Sequence, residues 1–114
     1  LGSAPDVGAT AIADAAQPIG SGVASYYADR LHGRRTASGA AYDRAAFTAA
    51  HRTLPFGSRV RVINPRTGQQ VIVTVNDRGP FTRGRTIHLS RAAAAEIGLI
   101  SAGHGVVELE IIPG

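Results

Sequence analysis

Hydrophobic and polar positions alternate with a period of two along several stretches of this chain, the spacing that places apolar side chains on one face of a β-strand. In Ser58–Ile63, Val60 and Val62 share a face and Arg59 and Arg61 take the other. Gln70–Asn76 repeats the pattern with Val71, Val73 and Val75, and the intervening Asn64-Pro65-Arg66-Thr67-Gly68 predicts the hairpin that joins them. Gly105–Ile112 directs Val107, Leu109 and Ile111 inward and leaves Glu108 and Glu110 on a solvated face. Gly22–Tyr27 and Thr86–Leu89 add shorter strands. In the first of these, Val23, Ser25 and Tyr27 oppose Ala24 and Tyr26, so the adjacent tyrosines point opposite ways.

One segment carries helical spacing. Leu89, Ala93 and Ile97 lie four apart, with Ser90 at an N-cap position and Gly98 just past the end, which predicts a helix of about two turns over Arg91–Ile97. Asp29–Tyr42 shows neither period and reads as a long loop; loops of that length in a small domain are commonly functional or disordered. Asp43–His51 fits a helical turn or a strand equally well. Five or six short strands with so little helix argue against a parallel sheet of βαβ units and predict a mainly β fold, a small closed barrel.

Composition narrows the picture. The 114 residues suffice for one domain that buries roughly 65% of its extended surface. The absence of cysteine excludes disulfides and thiolate catalysis while leaving the compartment open. All twelve basic residues are arginine and the formal net charge is +4, yet Leu1–Gly20 holds Asp6 and Asp14 and no base. Three Tyr, three Phe and no Trp offer little aromatic interleaving for stacking bases, so nucleic acid is not the expected partner. An arginine-rich polar surface suits an anionic polymer or membrane instead. No apolar run approaches the length of a membrane span. Leu1-Gly2-Ser3 resembles the remnant of a cleaved affinity tag, and Ala4–Gly20 reads as a flexible arm. The expected division is therefore an arm over residues 1–21 and a folded domain over 22–114.

Candidate chemistry centres on Asn76-Asp77-Arg78-Gly79-Pro80-Phe81, where the strand pattern breaks into a turn. Continuing the period puts Asp77 on the face of Val71, Val73 and Val75, at the mouth of the core, where lost hydration favours the protonated acid and suits it to donating a proton. A turn-forming role, with the carboxylate accepting backbone N–H bonds, is open as well. His32, His51, His88 and His104 are scattered without a zinc spacing, so neither metal nor cofactor is expected. His51 lies at an element boundary, where a structural hydrogen bond is a common role for histidine. There is no Gly-x-Ser-x-Gly elbow and no phosphate-cradling glycine loop. Thr36 and Ser38 give the long loop hydroxyls that suit a polyhydroxylated ligand. One of Tyr26 and Tyr27 would pack inward while the other lines a groove, where its ring could stack on a sugar.

Five blocks carry a wider resemblance: Gly22-Val23-Ala24-Ser25-Tyr26-Tyr27, His32-Gly33-Arg34-Arg35-Thr36-Ala37-Ser38-Gly39, Thr48-Ala49-Ala50-His51-Arg52-Thr53-Leu54-Pro55, Val75-Asn76-Asp77-Arg78-Gly79-Pro80-Phe81 and Leu89-Ser90-Arg91-Ala92-Ala93-Ala94. Together, over Gly22–Ile112, they resemble the rare lipoprotein A family. The resemblance implies a six-stranded double-psi β barrel with one or two short helices, similar to that of expansins and certain endoglucanases. It implies a monomeric bacterial envelope protein of the periplasm or outer membrane, enriched at the division septum, with any lipid anchor outside this sequence. The implied activity is endolytic lytic transglycosylation of peptidoglycan strands stripped of their stem peptides. By the same resemblance, Asp77 is the acid and base, Asp43 and His51 orient the sugar and tune the acid, and Arg78 contacts substrate. Tyr26, Tyr27, Thr36, Ser38 and Thr48 complete the expected substrate contacts.

Two positions depart from the family pattern. Members typically read Ser-Gly-Glu-x-Tyr-Asp, whereas this chain has Ser38-Gly39-Ala40-Ala41-Tyr42-Asp43, so Ala40 stands where a glutamate of the catalytic set is expected. An engineered Glu→Ala replacement would trap ligand or abolish turnover, whereas a natural variant would bind glycan without cutting it, and the alternative functions are a non-catalytic glycan-binding module or expansin-like wall loosening. The usual Ile-Asp-Leu-Ser appears as Ile87-His88-Leu89-Ser90, and nothing in the sequence assigns His88 a role.

Overall fold

The alternating stretches close on one another. A computed structural model describes residues 15–113 and contains β1 (Gln17–Tyr26), β2 (Thr48–His51), β3 (Arg59–Ile63), β4 (Gln70–Asp77), β5 (Ile87–Leu89) and β6 (Gly105–Ile112), with one α-helix, α1 (Arg91–Glu96). The strands form a closed barrel in the order β1-β5-β2-β4-β3-β6, with β6 returning to β1. The β1–β5 and β2–β4 pairs are parallel and the other four antiparallel. This is the mainly β, double-psi barrel that the sequence predicts.

A six-stranded barrel encloses little volume, so its interior takes small branched side chains. Val60, Val62, Val71, Val73, Val75, Ile87, Leu89, Val107 and Leu109 fill it together with Ala24 and Ala49. All three phenylalanines lie outside: Phe47, Phe56 and Phe81 are 47%, 43% and 78% exposed. Ile111 is only partly buried. On the face opposite the core, Glu110 is not simply solvated, because it accepts a 2.7 Å bond from Arg61, its cross-strand partner.

Three expectations change. β1 begins at Gln17 and not at Gly22, because Gln17–Ala24 pairs with Ile111–Gly105 of β6, so residues 17–21 belong to the barrel and not to an arm. Pro18 and Gly20 hid this strand; both are poor strand formers, tolerated here where the β1–β6 register shifts between Pro18 and Gly20. Residues 1–14, including the expected tag remnant, lie outside the described residues. The undecided Asp43–His51 segment resolves into a turn followed by β2. The long loop is not irregular: Asp29–Leu31 forms a 3-10 turn, and Gly33–Tyr42 folds back on itself through Gly33 N–H to Tyr42 O, Tyr42 N–H to Arg34 O and an Arg35–Ala41 bridge.

Helix α1 packs beside the barrel, with Ala93, Ala94 and Ile97 fully buried. It ends as its sequence predicts: Gly98 adopts φ +72°, Leu99 N–H donates to Ala94 O and Gly98 N–H to Ala95 O, the paired bonds of a glycine C-cap. Asn64 Nδ2 donates to Ile97 O at 2.7 Å and ties the β3–β4 hairpin to the end of the helix. At the other end the fully buried Ser90 hydroxyl donates to Ala46 O at 2.6 Å and accepts from Ala93 N–H and Thr48 N–H, both at 3.3 Å. Ser90 thus joins helix, turn and β2 at one atom. Ser90→Ala removes the cap and strands a buried carbonyl, for an expected loss of about 2 kcal/mol. That corresponds to a fall of roughly 10 °C in the melting midpoint by calorimetry, whereas Ser101→Ala, at an exposed position, is expected to leave it nearly unchanged.

Candidate active site

The site is made by one extra residue in β4. Along the parallel β2–β4 pair, Thr48 lies opposite Thr74 and Ala49 opposite Val75, but Ala50 lies opposite Asp77, so Asn76 is accommodated as a bulge. Ala49 and Val75 face the core, whereas Ala50 packs with Tyr27 and Tyr42 on the outer face. The bulge therefore turns Asp77 out of the valine face on which strict alternation would place it. Bulges re-aim side chains in this way because two residues on one strand answer to one on its neighbour.

Turned outward, the Asp77 carboxylate meets three donors from three parts of the chain. Oδ1 accepts the backbone N–H groups of Ala37 and Arg78, both at 2.8 Å, and Oδ2 accepts the Tyr27 hydroxyl. Two donors fill Oδ1, while Oδ2 keeps a lone pair on which a proton can be taken up or released. Burial, and then Asp77 itself, push the Tyr27 phenol well above its ordinary value, so Tyr27 remains a donor and is not a base.

Tyr27 belongs to a row of rings. It stacks on Tyr42 with centroids 4.2 Å apart and planes at 16°, and its centroid lies 4.5 Å from that of His88, tilted by 51°. Tyr42 in turn meets His32 edge-on. The Tyr42 hydroxyl accepts the Arg91 N–H at 3.0 Å, and burial raises its pKa, a shift which that hydrogen bond opposes. His88 Nδ1 lies 2.8 Å from Ser25 Oγ. Beside the row opens a cleft of about 180 Å³ bounded by Tyr27, Leu31, Arg34, Thr36, Tyr42 and Asp77, with Arg35 at its edge. Arg35 donates to Gly39 O at 2.8 Å. A larger depression of about 330 Å³, near Asn64, Arg66 and His104, contains none of the candidate residues.

The other expected residues separate into groups. Thr36 and Ser38 sit by the cleft, their hydroxyls 2.9 Å apart, with Thr36 Oγ1 donating to Ala40 O at 2.7 Å. Ala40 is exposed on the same turn, three residues beyond the amide that binds Asp77. Tyr26 is not in the cleft: it packs against the barrel core and donates to Ile100 O at 2.8 Å. Asp43 is exposed and accepts the Ala45 N–H at 2.9 Å, shaping the turn before β2. Thr48 lies at the start of β2, its N–H on Ser90 Oγ. His51 Nδ1 accepts the N–H groups of Thr53 and Leu54, both at 3.2 Å, which places the proton of the neutral ring on Nε2. Arg78 Nη1 donates to Leu54 O at 2.9 Å and His51 O at 3.2 Å, and the guanidinium lies 4.1 Å from the centre of the Phe56 ring. Arg78 thus braces the loop after β2. Arg52 does the same for the 80–85 loop, donating to Pro80 O at 2.8 Å and Arg85 O at 2.7 Å.

Sequence reasoning passed over Tyr42, Ser25 and the place of His88. Tyr42 is a lone Tyr in an otherwise largely small and polar loop and stands in the Ser-Gly-Glu-x-Tyr-Asp pattern, two signals that point to it; the pairing of Ser25 with His88 follows from β1–β5 register, which no local pattern carries. Among the described residues, no three His, Asp or Glu side chains are grouped to hold a metal ion.

Burial holds His51 below the ordinary 6.5, helped by Arg78 and Arg52, and burial likewise lowers His88, with Arg85 assisting and Asp77 opposing. Each ring binds its proton more weakly in the folded than in the unfolded chain. Stability is therefore fully present above the unfolded value and is lost as pH falls below about 6.5. Urea midpoints are expected to drop between about pH 7.5 and about pH 5.5, ahead of most carboxylate titration. Both imidazole NMR signals should titrate below 6.5. A midpoint that does not move over that interval would contradict the assignment.

Comparison with known proteins bears on the family and the fold. Residues 19–109 match the lytic transglycolase family. The chain is 57% identical over 94 residues to a probable endolytic peptidoglycan transglycosylase RlpA of Synechocystis, covering 82% of this chain and 29% of that protein. It is 56% identical over 91 residues to the endolytic peptidoglycan transglycosylase RlpA of Pasteurella multocida, covering 80% and 31%. For the Neisseria meningitidis serogroup A protein of the same name the identity is 53% over 94 residues, covering 82% and 39%. The matched region thus spans about a third of these relatives' length. Among solved structures, the Streptomyces papain inhibitor superposes with a TM-score of 0.67 at 24% identity, covering 85% of this chain and 96% of that one. Cerato-platanin 3 from M. perniciosa does so at 0.58 and 12%, covering 82% and 94%. At such identities these two share the fold alone. Sequence match and barrel together mean that this chain belongs to the lytic transglycolase family.

Proposed function

We propose that this domain is the catalytic part of an endolytic peptidoglycan transglycosylase, acting on the glycosidic bond between N-acetylmuramic acid and N-acetylglucosamine in strands free of stem peptides. The observation that carries the reading is a cleft with a single carboxylate. Glycosidases that use water need a second carboxylate, about 5 to 9.5 Å from the first. Asp77 is the one acid among the residues lining the cleft. A transglycosylase can work with one, because the same group serves both steps.

Asp77 would donate its proton from Oδ2 to the glycosidic oxygen as the bond to C1 breaks. The resulting carboxylate would then take the proton of the muramic 6-hydroxyl as O6 closes on C1, giving a 1,6-anhydro end and restoring the acid. Tyr27 and the amides of Ala37 and Arg78 hold the carboxyl in place through this cycle. Thr36, Ser38 and Arg34 are the polar groups offered to the sugar, while Asp43, His51 and Arg78 act on the site through the turns that they fix. The setting is the bacterial cell wall; periplasmic or outer-membrane placement and enrichment at the septum are part of the proposal, with the monomer as the working unit.

Ala40 favours a second reading, a glycan-binding module, because the side chain there ends at Cβ where family members typically carry a carboxylate. Incubation with stem-peptide-free strands and mass spectrometry separate the two. Ala40→Glu is expected to raise the yield of anhydromuramic ends, and Asp77→Asn in that background to lower it by at least about 100-fold. If neither the original chain nor Ala40→Glu makes product while both bind the strands, the binding module is the correct reading.

A further inference from the structure

The geometry points to His88 as a positioning residue that holds the Tyr27 phenol on Asp77, a role that rests on the proposed use of Asp77 as the acid. His88 and Tyr42 both lie within 4.5 Å of Tyr27, centroid to centroid. At those separations both rings are in contact with Tyr27, Tyr42 stacked on it and His88 tilted against it by 51°, so two neighbours hold the phenol ring. A phenol held by Tyr42 alone could tilt about χ1 and χ2, and its bond to Asp77 Oδ2 weakens steeply with angle. His88 is the second support.

The surroundings of His88 are arranged for such a wedge. In the β1–β5 register Ser25 stands opposite His88, and its hydroxyl fixes the ring through Nδ1 at 2.8 Å. In the β2–β5 register the opposite residue is Ala50, whose methyl group takes little of the space beside the imidazole. The charged groups acting on it are Asp77 and Arg85. No hydrogen bond or ion pair joins His88 to Asp77; apart from the field between the two groups, the contact from His88 to the acid runs through the Tyr27 ring.

Three variants at this position distinguish a ring from a hydrogen bond. His88→Ala removes both, His88→Asn keeps a polar group for Ser25 but no ring, and His88→Phe keeps a ring without the bond. With tyrosine labelled at Cζ, NMR is expected to show the Tyr27 resonance shifted, and its titration displaced toward that of an ordinary tyrosine, in the Ala and Asn variants and not in the Phe variant. In the Ala40→Glu background, Ala and Asn should lower kcat about tenfold with KM unchanged, and Phe should restore it. With Tyr27→Phe also present, His88→Ala should have no further effect on kcat, since the group being positioned is gone. Restoration by Asn, an unmoved Tyr27 resonance in the Ala and Asn variants, or additive losses in the double variant would overturn the assignment. If the Tyr27 resonance responds as expected but no variant makes product, the positioning stands and the transglycosylase reading fails.

Discussion

The extra residue at Asn76 is the constraint on which the site depends. Without it, strict alternation would carry Asp77 into a barrel lined with valine and alanine, where an unpaired carboxylate is strongly unfavourable. With it, the same carboxylate stands on the outer face opposite Ala50 and is met by Tyr27, Ala37 N–H and Arg78 N–H. These donors lie just past β1, in the Gly33–Tyr42 turn and just past β4, so the closed barrel is what brings them to the one carboxylate.

Barrel width explains why the chemistry lies outside it. Six strands leave room for Val, Ile, Leu and Ala, and the larger rings lie outside the barrel interior. There Tyr27 stacks on Tyr42, His88 meets Tyr27 at a tilt and His32 meets Tyr42 edge-on, a row whose tyrosines form a small second core with Ala50 and Leu31 packed against them. The Gly33–Tyr42 turn folds over this row and brings Ala37 to Asp77. A segment that is polar and aperiodic in sequence is thereby fixed by packing against rings and by hydrogen bonds to the end of β4.

Arg78, which the resemblance assigns to substrate, and Arg52 both bind backbone carbonyls. Arg52 grips the 80–85 loop at two carbonyls, Arg78 grips the loop after β2 at two more, and Phe56 lies against Arg78. Planar guanidinium groups suit this bracing because several donors point in fixed directions from one stem. His51 works in the same place, its Nδ1 closing the turn over Thr53 and Leu54. The loops on either side of Asp77 are therefore tied to each other before any ligand arrives.

The sequence by itself determined the barrel strands that alternate cleanly, the β3–β4 hairpin, and the helix with its Ser90 and Gly98 ends, because these follow from periodicity and capping within a few residues. It also marked Asp77, through the break in the β4 pattern, and its motifs pointed to the family. It could not supply the Gln17 end of β1, where Pro18 and Gly20 mask a strand that exists through pairing with β6. Nor could it supply which tyrosine faces the cleft, the place of Tyr42, the link from Ser25 to His88, or the face on which Asp77 emerges. Each of these is a register relation between segments distant in sequence, and a one-residue bulge is enough to reverse a side chain's face. Only the closed tertiary structure decides that.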